Sequence, residues 1–140
     1  LHLIAREAAE QCGRLSLPKI DAPLPLAQLL ATWPATQPLF FCDEAGDAPP
    51  LLRAAGQALG QALGSQLRDD ETRGLLPCAV LCGPEGGFSL AEREALRAHR
   101  AVQPVGLGRL VLRAETAVIA ALSVVGAGLA DPPDAPSGLQ

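Results

Sequence analysis

Leu81-Cys-Gly-Pro-Glu-Gly-Gly-Phe-Ser89 decides how the rest of the chain is read. An apolar run, Pro77-Cys-Ala-Val-Leu-Cys82, leads into it and predicts a buried strand over 78–82. Ser89-Leu-Ala-Glu92 follows, and a Ser with Glu three residues on is a capping box that opens a helix over 89–99. The glycines therefore occupy a loop between a strand's C-terminal end and a helix's N-terminus, the edge at which open α/β sheets bind ligands. Gly83, Gly86 and Gly87 carry no Cβ, so backbone groups there can come close to a ligand, and Pro84 stiffens the turn. A tight connection with no ligand accounts for the same glycines. No Gly-Lys-Ser/Thr follows, which excludes a P-loop, and the G-x-G-x-x-G spacing of a dinucleotide site is absent. Glu85 would repel a phosphate, so a ligand here is neutral or cationic.

At 140 residues the chain is one domain's worth. Its 49% hydrophobic content excludes disorder for most of its length. With aromatics at 3% and no Tyr or Met, the core is built from Leu, Val, Ile and Ala. The formal charge of −4, from 11 Lys+Arg against 15 Asp+Glu, gives no general field for nucleic acid. All cations but Lys19 are Arg, which suits bidentate contacts, although coding bias produces the same excess. Cys78 and Cys82 form C-x3-C rather than the C-x2-C of a zinc site, and no clustered His completes one. Four residues along a strand separates them by roughly 13 Å on one face, too far to bond to each other. Reduced, buried thiols in a cytoplasmic protein are the expectation for all four cysteines, Cys12 and Cys42 included. No signal peptide is visible, and Leu1 in place of Met suggests a cropped or processed start. The apolar run Ala117 to Ala130 falls short of the ~18–20 residues that span a bilayer and reads as a buried helix.

The remaining chain alternates helix and strand. Residues 1–14 fit an amphipathic helix, with Leu3, Ile4, Ala8, Cys12 and Leu15 at helical spacing and Glu7, Gln11 and Arg14 on another stripe. A solvated face accounts for that polar stripe without any ligand. Pro25 to Trp33 predicts a short helix ended before Pro34. Pro38-Leu-Phe-Phe-Cys42 predicts a strand whose end puts Asp43 and Glu44 at the sheet edge. Leu51 to Leu63 has helical periodicity, Gly64 to Leu76 reads as a surface loop, and Ala101 to Val105 as a further strand. Ala114 to Leu129 is the last helix and 131–140 a flexible tail. The class is α/β with a mostly parallel sheet and helices on both faces, one domain over 1–130.

A second glycine loop, Gly106-Leu-Gly-Arg-Leu-Val-Leu-Arg113, precedes Ala114-Glu-Thr-Ala117. Two Arg and a Glu beside an apolar helix are costly unless they pair or bind something. An Arg113–Glu115 ion pair is the plain structural explanation; a site is the functional one. Gly83-Pro-Glu-Gly-Gly-Phe-Ser89 together with Leu107-Gly-Arg-Leu-Val-Leu-Arg-Ala-Glu-Thr-Ala117 resembles the two signature loops of the RsmE-type methyltransferases. These belong to the SPOUT superfamily and methylate N3 of a uridine in 16S ribosomal RNA. Glu7-Ala-Ala-Glu-Gln-Cys-Gly-Arg14, followed by Pro18, is similar to that family's E-A-x-E-Q-x-x-R…P segment.

The resemblance implies a C-terminal deep trefoil knot, an exception to the usual unknotted chain. It implies S-adenosylmethionine in the knot, held by Leu81, Cys82, Gly83, Pro84, Glu85, Gly86 and Gly87 of the first loop. Leu107, Gly108, Leu110, Leu112 and Thr116 would hold it from the second. Arg113 and Glu115 become the catalytic pair, and Gln11, Arg14 and Arg109 contacts to the substrate RNA of the small ribosomal subunit. A cytoplasmic homodimer with the site at its interface follows from the same likeness, with no metal and no membrane. Two differences stand out. The family's Ile-Gly-Pro-Glu-Gly-Gly is Cys82-Gly-Pro-Glu-Gly-Gly here, and its Arg-Ile-Leu-Arg is Arg109-Leu-Val-Leu-Arg113, one residue longer. Family members also begin with an RNA-gripping barrel and then a first strand and helix, so the chain is expected to be a C-terminal catalytic piece. The alternatives are a non-catalytic RNA- or protein-binding domain that kept the fold, and an unrelated small-molecule enzyme with a glycine loop.

Overall fold

The computed structural model describes residues 1–66 and 78–130. The described elements are α1 (His2–Gln11), α2 (Leu26–Thr32), β1 (Leu39–Cys42), α3 (Leu51–Gln66), β2 (Ala79–Leu81), α4 (Leu90–Ala98), β3 (Val102–Val105) and α5 (Ala114–Ala130). The three strands form one parallel sheet in the order β2-β1-β3. β1 is central because it is the strand apolar on both faces, as a strand in a covered parallel sheet must be. Its Leu39, Phe40 and Phe41 are at most 2% exposed. Alternation along the strand then sorts the layers. Phe40 packs with Leu51, Ala54 and Ala55 of α3, Val105, and Ala121 and Val125 of α5. Leu39 and Phe41 face the other way, onto Leu30 of α2, Leu96 of α4 and Val102. Burying one such Phe contributes about 1.5–3 kcal/mol, so these two rings anchor both layers.

Register continues past the strand ends. The amide of Asp43 donates to the Val105 carbonyl at 2.9 Å, and Pro50 and Gly106 bridge across the gap at the start of α3. Helix α4 begins at the expected capping box: Ser89 Oγ accepts from the Glu92 amide, and the Glu92 carboxylate accepts from the Ser89 amide.

Two expectations are corrected. The loop assigned to Gly64 onward begins later, because α3 runs on through Gln66. Each further residue adds a helical hydrogen bond at little extra cost once the helix is nucleated, which outweighs one glycine. Residues 67–77 of that loop, and the tail at 131–140, lie outside the described residues. The last helix is not buried all round. Ala121 and Val125 are buried against α3 and the sheet, but Val118, Ile119 and Leu122 are 41%, 66% and 57% exposed. A three-stranded sheet with α3 alongside covers one stripe of α5 and leaves the opposite one open.

Candidate functional site

Both glycine loops leave the same end of the sheet. The first follows β2 and the second follows β3, so they flank the end of β1 from either side. Within the first, the Gly87 amide donates to the Pro84 carbonyl at 2.9 Å, closing a turn that puts Gly87 at φ 67°. A side chain is strained there, and a Cβ would also lie 2.8 Å from Glu44 Oε1. At Gly83 a Cβ would meet the Phe88 ring at 2.8 Å, and that ring stands edge-on to Phe41 with centroids 5.1 Å apart. Gly86 differs: nothing lies within 4 Å of its Cβ position, and Pro84, Glu85 and Gly86 are exposed. The loop is thus clamped at Gly83 and Gly87 and open at its tip. In the second loop Gly108 has φ 129° with nothing within 4 Å of its Cβ position. Leu107 packs on the core beneath, and Leu112 is half-buried.

The clamp is charged. Asp43, directly after β1, is 3% exposed and is the buried charged residue among the described ones. Arg97 of α4 donates to its Oδ2 from Nε at 2.9 Å and from Nη2 at 2.6 Å, and reaches Asp47 with the same guanidinium. Hydrogen bonds to Asp47 first and Asp43 second raise the Arg97 guanidinium above its ordinary range, and Arg97 in turn holds the Asp47 carboxyl below its own. Arg93, one turn earlier, donates to Glu44 at 2.7 Å, while its buried Nε stands 3.6 Å from Asp43 Oδ1 with no hydrogen-bond partner. Strand end and helix α4 are therefore tied together through Asp43, Glu44, Arg93 and Arg97, and Glu44 lies against the Gly87 turn. Sequence reasoning put Asp43 and Glu44 at the edge but missed their partners. Arg93 and Arg97 sit four apart on one helix face, and that spacing was the available signal.

A second missed contact joins the strands. Cys42 ends β1 and Cys82 directly follows β2, each one residue past the paired Phe41 and Leu81, with their sulfurs 3.5 Å apart. Burial first, and then the neighbouring Cys82, pushes the Cys42 thiol up to about 12.

The profile of the RNA methyltransferase domain family matches residues 1–126. The chain belongs to this family. As an RNA methyltransferase domain it is 33% identical over 126 residues to the ribosomal RNA small subunit methyltransferase E of Synechocystis, spanning 89% of this chain and 36% of that protein. A protein of the same name from Rickettsia conorii is 44% identical over 46 residues, 33% of this chain and 19% of its own. The chain thus spans about a third or less of the curated relatives it matches. Among solved structures it is similar to a Legionella pneumophila protein described as a methyltransferase, in complex with its cofactor SAM. The TM-score is 0.67 at 30% identity, over 91% of this chain and 44% of the other. A Porphyromonas gingivalis protein described as an rRNA methyltransferase gives 0.66 at 26% identity, over 91% and 48%.

In this RNA methyltransferase domain the predicted site residues fall into two groups. Leu81 to Gly87 and Leu107 to Leu112 converge on one sheet edge. Arg113 and Glu115 stand at the start of α5, paired at 3.1 Å and 79% and 60% exposed. The desolvation argument for a site therefore does not hold for the chain by itself, since neither charge is buried. Thr116, Arg109 and Leu110 are exposed as well. Gln11 and Arg14, at and just beyond the end of α1, are also exposed. No hydrogen bond among the described residues joins their side chains to either loop. A cleft of about 320 Å³ is lined by His2, Leu3, Ala5, Arg6, Leu17 and Pro18 and takes no residue from the glycine loops. It is open to solvent and separate from those loops, so the functional reading rests on the loops' shared edge.

Proposed function

We propose that this domain transfers a methyl group from S-adenosylmethionine to N3 of a uridine in 16S ribosomal RNA. The observation that carries the reading is the shared exit of the two signature loops on either side of β1. The residues present fit the cofactor. The backbone is open at Gly86 and Gly108, Leu107 and Leu112 offer apolar surface to a purine, and exposed Glu85 suits a cation. The resemblance adds that the second loop and α5 thread a deep trefoil knot, and that two copies form the active unit in the cytoplasm. The exposed stripe of Val118, Ile119 and Leu122 is the surface a second copy would cover.

When bound, the cofactor supplies an electrophilic methyl group on a sulfonium. This chain's residues do the rest by positioning and electrostatics. The first loop would hold the cofactor by its backbone, with Cys82, Gly83 and Gly87 fixed by the packing beneath. Uridine N3 keeps its proton at neutral pH, so that proton must leave as the methyl arrives. The Arg113 guanidinium stabilises the anion that develops on the uracil ring, and Glu115 accepts the proton or holds Arg113 in place. Arg109, Gln11 and Arg14 grip the RNA around the target.

Titration calorimetry with S-adenosylmethionine, paired with mass analysis of N3-methyluridine in 16S RNA, tests the proposal. Arg113→Ala is expected to keep cofactor binding and lose on the order of 10²-fold in methylation rate. Methylation at the wild-type rate by the folded variant would refute the role of Arg113.

A further inference from the structure

We propose that Cys42 and Cys82 are a covalent modification site: a dithiol that hydrogen peroxide closes to a disulfide, loosening the hold on S-adenosylmethionine. Three observations carry it. The sulfurs are already 3.5 Å apart, whereas C-x3-C spacing separates Cys78 from Cys82. The two residues directly follow the last ladder pair, Phe41 and Leu81, on strands that stand about 4.8 Å apart, within the Cα range a disulfide accepts. Both thiols are half-buried, which admits a small oxidant.

The Cys82 thiolate attacks one peroxide oxygen. The O–O bond breaks, a sulfenic acid forms, and the hydroxide released takes up a proton as water. Cys42, its sulfur 3.5 Å away, resolves it. Its sulfur attacks the Cys82 sulfur, the S–O bond breaks, and the departing hydroxide leaves as water with the Cys42 proton. Two thiols and one peroxide give one disulfide and two waters. The sulfurs must then approach to about 2.05 Å. Cys82 is the residue before Gly83, whose packing on the Phe88 ring leaves no room for a Cβ, so the displacement is passed into the loop tip.

The second half of the proposal rests on the cofactor reading above; the chemistry of the pair does not. The experiment treats the whole protein with stoichiometric hydrogen peroxide. It then measures intact mass, the Cys42–Cys82 linked peptide, and S-adenosylmethionine affinity before and after dithiothreitol. The expected result is a loss of two hydrogens, the linked peptide, an affinity lower by on the order of tenfold, and recovery of both on reduction. Cys42→Ala is expected to bind the cofactor as the reduced wild type does and, after peroxide, to give no linked peptide, gaining one oxygen at Cys82 in place of the loss of two hydrogens. Absence of the linked peptide overturns the pair, and a linked protein with unchanged affinity overturns its effect on the loop. A reduced wild type that binds no cofactor refutes the cofactor reading and leaves the mass result to judge the dithiol alone.

Discussion

Gly87→Ala against Gly86→Ala is a comparison in which neighbouring glycines of one loop should behave oppositely. At Gly87 two costs add. Its φ of 67° is one that a residue with a Cβ adopts at about 1–2 kcal/mol. The new methyl would also sit 2.8 Å from Glu44 Oε1. That oxygen ends a flexible side chain, but Arg93 holds it at 2.7 Å, so moving it forfeits the pair. The pair's side chains are 26% and 36% exposed, which limits the loss to about 0.5–1 kcal/mol. The sum is roughly 1.5–3 kcal/mol of folding stability. At Gly86 a methyl meets nothing within 4 Å and the backbone is not left-handed, so Ala there costs little, or adds about 0.4–1 kcal/mol by restricting the unfolded chain. Urea denaturation at constant m-value reads both. Glu44→Ala in the Gly87→Ala background should cost nothing further, because the new methyl has already broken the Glu44–Arg93 pair. Equal stability of the two single variants would refute the clamp as described.

The acid cluster makes its own prediction. Asp43→Ala leaves Arg93 and Arg97 without their buried partner and should destabilise by about 2–3 kcal/mol, less than a fully buried pair because both arginines are partly exposed; urea midpoints check it. Ser89→Ala removes the cap of α4 and should cost about 1 kcal/mol in the same assay. Hydrogen bonds from Ser89 hold the Glu92 carboxyl below its ordinary range. A depressed folded value means stabilisation present above the unfolded Glu pKa of about 4.3 and lost as pH falls through the folded one, so the acid limb of stability should flatten in Ser89→Ala. Calorimetric melting between neutral and acidic pH measures that slope.

How much of this was legible before the structure follows from the range of each interaction. The capping box, the glycine turn and the apolar strand over Leu39–Cys42 are local patterns, and each came out within two residues of its expected place. The strand order was not legible, because pairing β1 with both β2 and β3 is a matter of chain folded over tens of residues. Everything that depends on that order was therefore hidden. Cys42 meets Cys82 only once β1 and β2 are known to be neighbours in register. Asp43 meets Arg97 only once α4 is known to pack on the face carrying Phe41. The sequence offered Asp43-Glu44 and Arg93…Arg97 as two unconnected pairs of charges.

Helix α5 shows the opposite failure, in which a strong local signal said too much. Its composition reads as buried on all sides, since an all-round apolar helix belongs inside something. The described chain covers Ala121 and Val125 and leaves Val118, Ile119 and Leu122 in water, with Leu110 and Val111 at 80% and 81% exposure just before the helix. Scattered exposed Leu is ordinary, but several apolar side chains on consecutive turns of one helix and its lead-in are the pattern of an interface. The exposed Arg113–Glu115 pair lies between those two apolar groups. Covering the stripe with a second copy would bury the pair and strengthen its electrostatics, a condition the proposed chemistry requires. On this argument a monomer should be inactive even with every site residue intact. Replacing Ile119 and Leu122 together by Glu is the decisive perturbation. Loss of methylation together with loss of the dimer in sedimentation supports the reasoning, and full activity from a monomer refutes it.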